Sequence, residues 1–217
     1  MKRSNFFKGL FTALLFSGIS MTAGSQSLKE VFSNSETPLV YLGIDFSKTR
    51  ILDQGNADDI RNRLYGSINQ LVAEEFKKFD IKGAFRKSYV ENYISAVSEK
   101  NLKANLSDII SMNPSDFNHM KESDILTCVK GLDIKGKEGV GVLFVMESMR
   151  KIDKKGDAAI WVTFVELKSK KMLMTERIVV EAKGGFGFRN YWASTIKELI
   201  DEIDKHKFKA WKAQYSN

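Results

Sequence analysis

The sequence has a single cysteine, Cys128, and only two histidines among its 217 residues. One cysteine cannot form an intrachain disulfide, so the fold must be held together by its core. Cys128 lies in the apolar run 125–129, which favours a buried, unreactive thiol over a nucleophile. Neither histidine has a second histidine or a cysteine at ligand spacing. Transition-metal binding is therefore not predicted, and no cofactor is expected.

Motifs of nucleophilic catalysis and nucleotide binding are also missing. The chain has no G-x-S-x-G nucleophile elbow, and its Gly184–Gly187 segment matches neither G-x-G-x-x-G nor a Walker A sequence. That segment is interpreted as a strand-to-helix hinge with unusual φ values, with backbone binding of phosphate as the alternative. Four glutamates on predicted strands are interpreted as surface charges paired with arginines rather than as an acid–base pair. A non-enzymatic protein is thus favoured.

The only long apolar run lies at the N-terminus. Basic residues Lys2, Arg3 and Lys8 precede the apolar stretch 10–21, and small residues 23–25 come before Gln26. This is the layout of a signal peptide, and it predicts export after cleavage near Ser25/Gln26. The alternatives are an uncleaved anchor and a buried N-terminal helix. No cysteine lies near the predicted cut, so a lipoprotein is not expected.

The basic net charge depends largely on this leader. Residues 1–25 carry three basic side chains and no acidic ones, so their removal lowers the formal net charge from +7 to +4. An excess of that size fits an anionic partner only weakly, and nucleic acid is not expected.

Alternating apolar residues predict four strands. The runs 140–147, 158–167 and 172–182 are joined by short polar turns and predict an antiparallel meander. Segment 39–46 is apolar on both faces, which places it inside the sheet beside the meander. The predicted fold is α+β, with a mainly antiparallel sheet of about four to five strands. Residues 26–38 are expected to form a linker and residues 39–217 a single domain.

Helical periodicity predicts amphipathic helices over 57–79, 85–98 and 190–213, packed on the sheet. Asn56 or Asp58 is expected to cap the first of them. Phe85, Tyr89 and Tyr93 have helical spacing, which indicates core packing rather than a surface for stacking nucleobases. Segment 99–137 has no clear pattern, and a strand is favoured over a helix for 125–132.

The order of these elements resembles that of the TolB amino-terminal domain and of the curli-secretion lipoprotein (CsgG-like) family of bacterial envelope proteins. The resemblance is carried by "VYLGIDF" (40–46), "GVGVLFVMESMRK" (139–151), "AIWVTFVELKSKKML" (159–173) and the closing helix 191–203. The second meander strand of those families commonly ends in an aspartate before a threonine-glycine turn, whereas residues 166–171 of this sequence are ELKSKK. The resemblance implies an envelope module that binds another macromolecule or assembles.

The C-terminal segment is the candidate interaction surface. Its aromatic residues fall at i, i+3 and i+7 of a helix and alternate with lysines: the candidates are Lys205, Lys207, Phe208, Lys209, Trp211, Lys212 and Tyr215. Such a stripe could dock on anionic lipid headgroups, on a polyanion or on a partner protein. In the competing interpretation, the aromatics complete the core and the lysines are solvated at the negative end of the helix dipole.

These observations predict an exported, periplasmic or secreted envelope protein that binds a protein partner or an envelope component. Peripheral contact with an anionic membrane surface and a homo-oligomer are open alternatives. A different class of function, small-ligand binding or hydrolysis, would use a cleft near residues 99–137 and 184–187. A Ser–His–Asp arrangement leaves no mark in composition, so the hydrolase stays an alternative.

The leader makes a direct prediction about the exported protein. Intact-mass and N-terminal peptide analysis of protein secreted by its native host should show a chain that begins at Gln26, because a signal peptidase cuts after small residues. Recovery of the protein only in the cytoplasm, with Met1 or Lys2 at its N-terminus, would contradict export.

Overall fold

The computed structural model describes residues 23–153 and 155–216. Residues 1–22, which hold most of the predicted leader, lie outside the described residues. The predicted cleavage site falls within the first helix, α1 (Ala23–Ser33). In the described part of the chain, no helix has the length and apolar character needed to cross a membrane.

The described chain forms both strands and helices. The strands are β1 (Leu39–Asp45), β2 (Arg50–Leu52), β3 (Val90–Asn92), β4 (Val140–Ile152), β5 (Lys155–Glu166) and β6 (Lys171–Glu181). After α1, the helices are α2 (57–74), α3 (Ile81–Ala84), α4 (Ser95–Leu102), α5 (Leu106–Ile109), α6 (Glu122–Lys130) and α7 (187–215). Helices α2 and α7 each continue through one π-helical turn, at Ile60–Leu64 and Ile203–Lys207.

The strands form one mixed sheet in the order β3-β1-β4-β5-β6, with β2 paired to the far end of β4. Strands β4, β5 and β6 form the predicted antiparallel meander. The three shorter strands attach parallel to their neighbours. The α+β prediction is confirmed, with six strands rather than four or five. Strand β1 lies inside the sheet next to the meander, as predicted.

The sheet is buried on both faces. On the first face, side chains of β1, β4 and β5 pack against α1, α2 and α7, and this side holds the larger core. On the second face, Val145, Trp161 and Val165 pack against residues of α4 and α6 and of the segment that follows α6. Two-sided burial explains why the central strands are apolar at nearly every position rather than at alternate ones.

A bulge near the end of β1 sets the geometry of the middle of the molecule. The pairing of β1 with β4 shifts by one residue between Tyr41 and Ile44, and Gly43 adopts a positive φ of 92°. The side chain of Asn69 bonds both main-chain groups of Ile44, at 2.7 and 2.9 Å. Asn101 donates to the same carbonyl and accepts from the amide of Phe46 at 2.7 Å. Two buried amides from α2 and α4 thus satisfy the backbone groups that the bulge takes out of the ladder.

The helix predicted over 85–98 is wrong in its first half. Residues 90–92 form β3, which pairs parallel with β1, and the helix begins only at Ser95. The aromatic spacing was misleading because Phe85 packs in the first core, Tyr93 packs against the second, and Tyr89 is exposed. These three side chains therefore do not form one stripe.

The helix predicted over 57–79 is capped by Asn56, as expected, but it ends at Glu74. A turn closed by the amides of Lys78 and Phe79 on the carbonyl of Glu75 follows. The turn exposes Phe76 and returns Phe79 to the core.

Two further predictions are corrected in the segments that flank the sheet. Residues 122–130 form the helix α6 rather than a strand over 125–132, because they lie across the second face and cover it. Segment 26–38 is not a linker, because α1 buries Leu28, Val31 and Phe32 in the first core. The buried ammonium of Lys87 donates to the carbonyls of Val31 and Asn34, at 2.5 and 2.9 Å, near the end of α1.

An aromatic cluster joins α1 to the last helix. The ring of Phe32 lies 5.2 Å from that of Phe164 in β5 and 5.9 Å from those of Phe208 and Tyr215 in α7. Trp211 completes the cluster at 6.0 Å from Phe164. Edge-to-face and stacked pairs at these distances stabilise beyond the area that they bury. The N-terminal and C-terminal helices therefore lock each other onto the sheet.

The packing of α1 can be tested by one substitution. Phe32→Ala should reduce the free energy of unfolding by about 3–5 kcal/mol, the usual cost of truncating a buried phenylalanine. Urea unfolding followed by circular dichroism measures the change. Lys29→Ala on the exposed side of the same helix should alter stability by no more than about 0.5 kcal/mol. Equal, small effects of the two substitutions would show that α1 is not docked.

Candidate functional site

The aromatic half of the predicted C-terminal surface is part of the core. Phe208 and Trp211 are 8% and 2% exposed, and Tyr215 is partly buried against Phe32. The indole of Trp211 donates to the carboxylate of Glu176 at 2.5 Å. These rings cannot insert into a membrane or a partner without leaving the core. The spacing i, i+3, i+7 describes a core stripe and a docking stripe equally well.

The lysines of the same segment lie on the surface around this core. Lys207 donates to Glu176 at 2.6 Å, and Lys205 lies 3.7 Å from Asp201 one turn earlier. Lys209 and Lys212 are exposed. A docking role for the seven candidate residues as a set stays a prediction, and any such role falls to the lysines alone.

A cavity does border segment 99–137, where the alternative function placed its cleft. It has a volume of about 360 Å³ and is lined by Leu52, Asp53, Ser111, Met112, Arg150 and Ile152, among others. Residues 184–187 do not line it. Ser111 donates its hydroxyl to the carboxylate of Asp116 at 2.6 Å rather than to an imidazole.

The hinge at residues 184–187 has unusual, positive φ values, as its glycines predicted. Gly184, Gly185 and Gly187 have φ values of 104°, 127° and 74°. A Cβ atom on Gly185 would come within 2.6 Å of the main chain of Asn190, so this turn from β6 into α7 requires glycine.

The hydrogen-bond partners of the two histidines are main-chain carbonyls and a carboxylate, not a hydroxyl or a thiol. The ring nitrogens of His119 lie 2.7 Å from the carbonyl of Asp116 and 3.0 Å from that of Lys48. Nδ1 of His206 lies 2.7 Å from a carboxylate oxygen of Glu202 on the surface. Within residues 23–153 and 155–216, no group of three or more potential metal-binding side chains comes together.

One buried charged cluster lies at the end of β1. Lys100 of α4 forms an ion pair with the fully buried Asp45 and donates to the carbonyl of Cys128 at 2.8 Å. Burial, reinforced by the charge of Asp45, raises the pKa of the Cys128 thiol to about 12. The cluster thus ties α4 and α6 to β1 and keeps the cysteine protonated, as an unreactive thiol requires.

A second buried cluster surrounds Glu147, the bulged residue of β4. Its carboxylate accepts from Arg177 of β6 at 2.6 Å, from the Trp161 indole at 2.9 Å and from the main-chain amide of Met120 at 2.9 Å. Arg177 also donates to the carbonyl of Phe117 at 2.9 Å. Every bond links the sheet internally or holds segment 117–120 onto it. Glu147 is therefore fully satisfied, and its role is structural.

A pair of exposed aromatic rings lies where the sequence predicted core. Phe76 and Tyr89 are 66% and 61% exposed, although both sit at apolar positions of predicted helices. They flank a groove of about 360 Å³ between the end of α2 and the edge strand β3, called here the Phe76–Tyr89 groove. Its apolar lining is completed by Val72, Phe79, Ile81 and Val90. No sequence signal could reveal it, because the groove exists only where α2 ends early and β3 begins.

Comparisons with known proteins found distant structural likenesses. No family model matches the sequence, and no curated protein matches it. A hypothetical protein from Chlamydia trachomatis is 7% identical over 82% of this chain and 99% of its own, with a TM-score of 0.40. The LpoB C-terminal domain from Salmonella enterica is 8% identical over 73% and 98% of the two chains, with a TM-score of 0.29. Likenesses this distant carry no argument about function, and the resemblance to TolB and CsgG-like proteins stays a prediction.

The state of Cys128 leads to a chemical prediction. Because burial raises the pKa of the Cys128 thiol to about 12, far fewer folded than unfolded molecules carry the reactive thiolate at about pH 8. Iodoacetamide should therefore modify Cys128 only in urea, and intact mass measures the modification. Rapid, stoichiometric modification of the folded protein would show that the thiol is accessible.

Proposed function

We propose that the chain is an exported, non-catalytic binding module that recognises a segment of another protein in the Phe76–Tyr89 groove. Export is supported by the leader pattern of residues 1–25. A binding role is supported by the clusters around Asp45 and Glu147, whose charged groups hold the fold together and offer none to a substrate.

The exposed pair of aromatic rings carries this proposal. Large aromatic side chains are usually buried, and they are enriched in the energetic centres of protein interfaces. Here two of them border one apolar groove, while the other exposed large apolar residues of the described chain lie outside it: Leu102, Met112, Ile152, Val179 and Phe186.

The position of the groove favours a polypeptide as the ligand. Strand β3 is an end strand of the sheet, and among the described strands only β1 pairs with it. An extended peptide could pair with its free edge and place apolar side chains between Phe76 and Tyr89, the combination used in strand addition. Asp80, Lys82, Ser88 and Asn92 also line the groove and supply the few polar groups that fix orientation.

The proposal can be tested without knowing the natural partner. Peptides selected from a random displayed library against the purified protein should bind in the groove, with binding followed by fluorescence anisotropy of a labelled peptide. The double variant Phe76→Ser/Tyr89→Ser should weaken binding by at least about tenfold, because exposed aromatic anchors dominate such contacts. Its stability should change by no more than about 0.5 kcal/mol per site, since both side chains are exposed.

The matched control is Met112→Ser/Phe186→Ser, which removes two apolar side chains outside the groove that are even more exposed, at 84% and 94%. It should leave binding unchanged. Failure to select any peptide, or equal binding by the two double variants, would exclude the groove as a peptide site.

A further inference from the structure

Strand β6 forms the other end of the sheet. It is 11 residues long, and in the described part of the chain its outer side has no strand partner. A cavity of about 420 Å³ runs beside it, lined by residues 177–181 and by Glu198 and Glu202 of α7. Helix α7 therefore packs on the face of β6 without covering its outer edge.

The two charged residues in the middle of β6, Glu176 and Arg177, do not protect this edge in the usual way. Natural edge strands often carry free charged side chains that prevent pairing with another chain. Here Glu176 is bound by Lys207 and Trp211 over the first face, and Arg177 is bound to Glu147 over the second. The following residues, Ile178–Val180, carry no charge, and Val179 is 49% exposed.

We propose that this edge is the interface between two copies of the chain, which pair β6 with β6 in antiparallel orientation about a twofold axis at Val179. Such a pairing is isologous, so each contact occurs twice, and it closes both open edges at once. It extends the sheet across the dimer. It uses a different edge from the Phe76–Tyr89 groove and does not depend on the proposed function.

The sequence of β6 is complementary to itself in this register. Val179 faces its own copy, Ile178 faces Val180 of the partner subunit, and Arg177 faces Glu181 of the partner subunit. Arg177, Val179 and Glu181 are alternate residues of β6 and therefore share one face of the sheet. Their partners in β5 are Trp161, Ala159 and Asp157, respectively. Opposite charges and apolar residues directly across an antiparallel pair stabilise a sheet. The Glu181 side chain is 68% exposed, and its contact within its own subunit is a surface ion pair of 3.2 Å with Lys183, which Arg177 of the partner subunit would share or replace.

Neighbouring registers lack this complementarity. A twofold axis perpendicular to the sheet passes through a residue position, since only then do paired residues share a face. An axis at Glu176 or at Arg177 would place that charged residue opposite itself, and an axis at Val180 would place Arg177 opposite Lys183. An axis at Ile178 brings no like charges together, but it places Arg177 opposite Val179 and so loses the opposite-charge pair. Like charges directly opposite destabilise strand pairing, so Val179 is the favoured centre.

The first test is the mass of the purified protein in solution over a concentration series, by sedimentation velocity. The unmodified protein should form a dimer, and Val179→Lys should raise its Kd by about tenfold or more, because two lysines would meet at the axis. Ile152→Lys places the same charge on an exposed apolar residue of β4 that is not in β6 and should leave the dimer intact.

The second test reports the register. In Val179→Cys, the two cysteines should face each other with Cβ atoms about 4.5–5.5 Å apart, close enough to be oxidised to an intermolecular disulfide. In Lys171→Cys, the two cysteines would lie about 50 Å apart along the strands and should not be linked. The buried thiol of Cys128 is common to both variants.

A monomer at every concentration, with no linkage specific to Val179→Cys, would overturn the proposal. So would a dimer on which Val179→Lys has no greater effect than Ile152→Lys. Neither outcome would bear on peptide binding in the Phe76–Tyr89 groove.

Discussion

The burial of the central sheet on both faces is the constraint on which the rest of this structure depends. Strands β4 and β5 are apolar at almost every position from Val140 to Met146 and from Ala158 to Val165. A sheet of this kind must be covered twice, so the chain supplies α1, α2 and α7 to one face and α4 and α6 to the other. Covering both faces without a disulfide uses most of the large apolar side chains of the part of the chain that the structure describes.

The same constraint determines where recognition can occur. The faces are occupied, and the buried carboxylates of Asp45 and Glu147 and the partly buried guanidinium of Arg177 hold covering segments in place. What remains is the periphery of the sheet. At one end the early stop of α2 leaves the Phe76–Tyr89 groove beside β3, and at the other the edge of β6 has no strand partner among residues 23–153 and 155–216. The two proposals follow from these two ends.

The sequence was sufficient to predict the meander, β1 and α7, because their periodicities are long and unbroken. It was insufficient where a short pattern had two meanings. Phe85, Tyr89 and Tyr93 are spaced as on a helix, yet the free edge of β1 pairs with residues 90–92 and forces a strand between them. The apolar pattern of residues 125–132 is too short to distinguish a buried strand from a buried helix. The segment is helical in the structure, where it packs across the second face of the sheet.

The candidate site was harder to predict than the fold. The aromatic residues of the C-terminal segment have the same spacing whether they pack inward or face solvent, and only the position of Phe32 opposite Trp211 shows that they pack inward. Phe76 lies on the apolar stripe of the helix predicted over 57–79, which ends at Phe79. Its exposure depends on the turn at Glu75, whose φ and ψ of −87° and 52° end α2. Such long-range outcomes are not encoded in a local apolar pattern.

Native-state hydrogen exchange would test the two-sided core most directly. If β4 and β5 are covered on both faces, their amides should exchange only through global unfolding and be the slowest in the protein. Exchange of the β4 and β5 amides at rates typical of exposed loops, under conditions where the protein is folded, would contradict the idea that this sheet is the protected centre of the molecule.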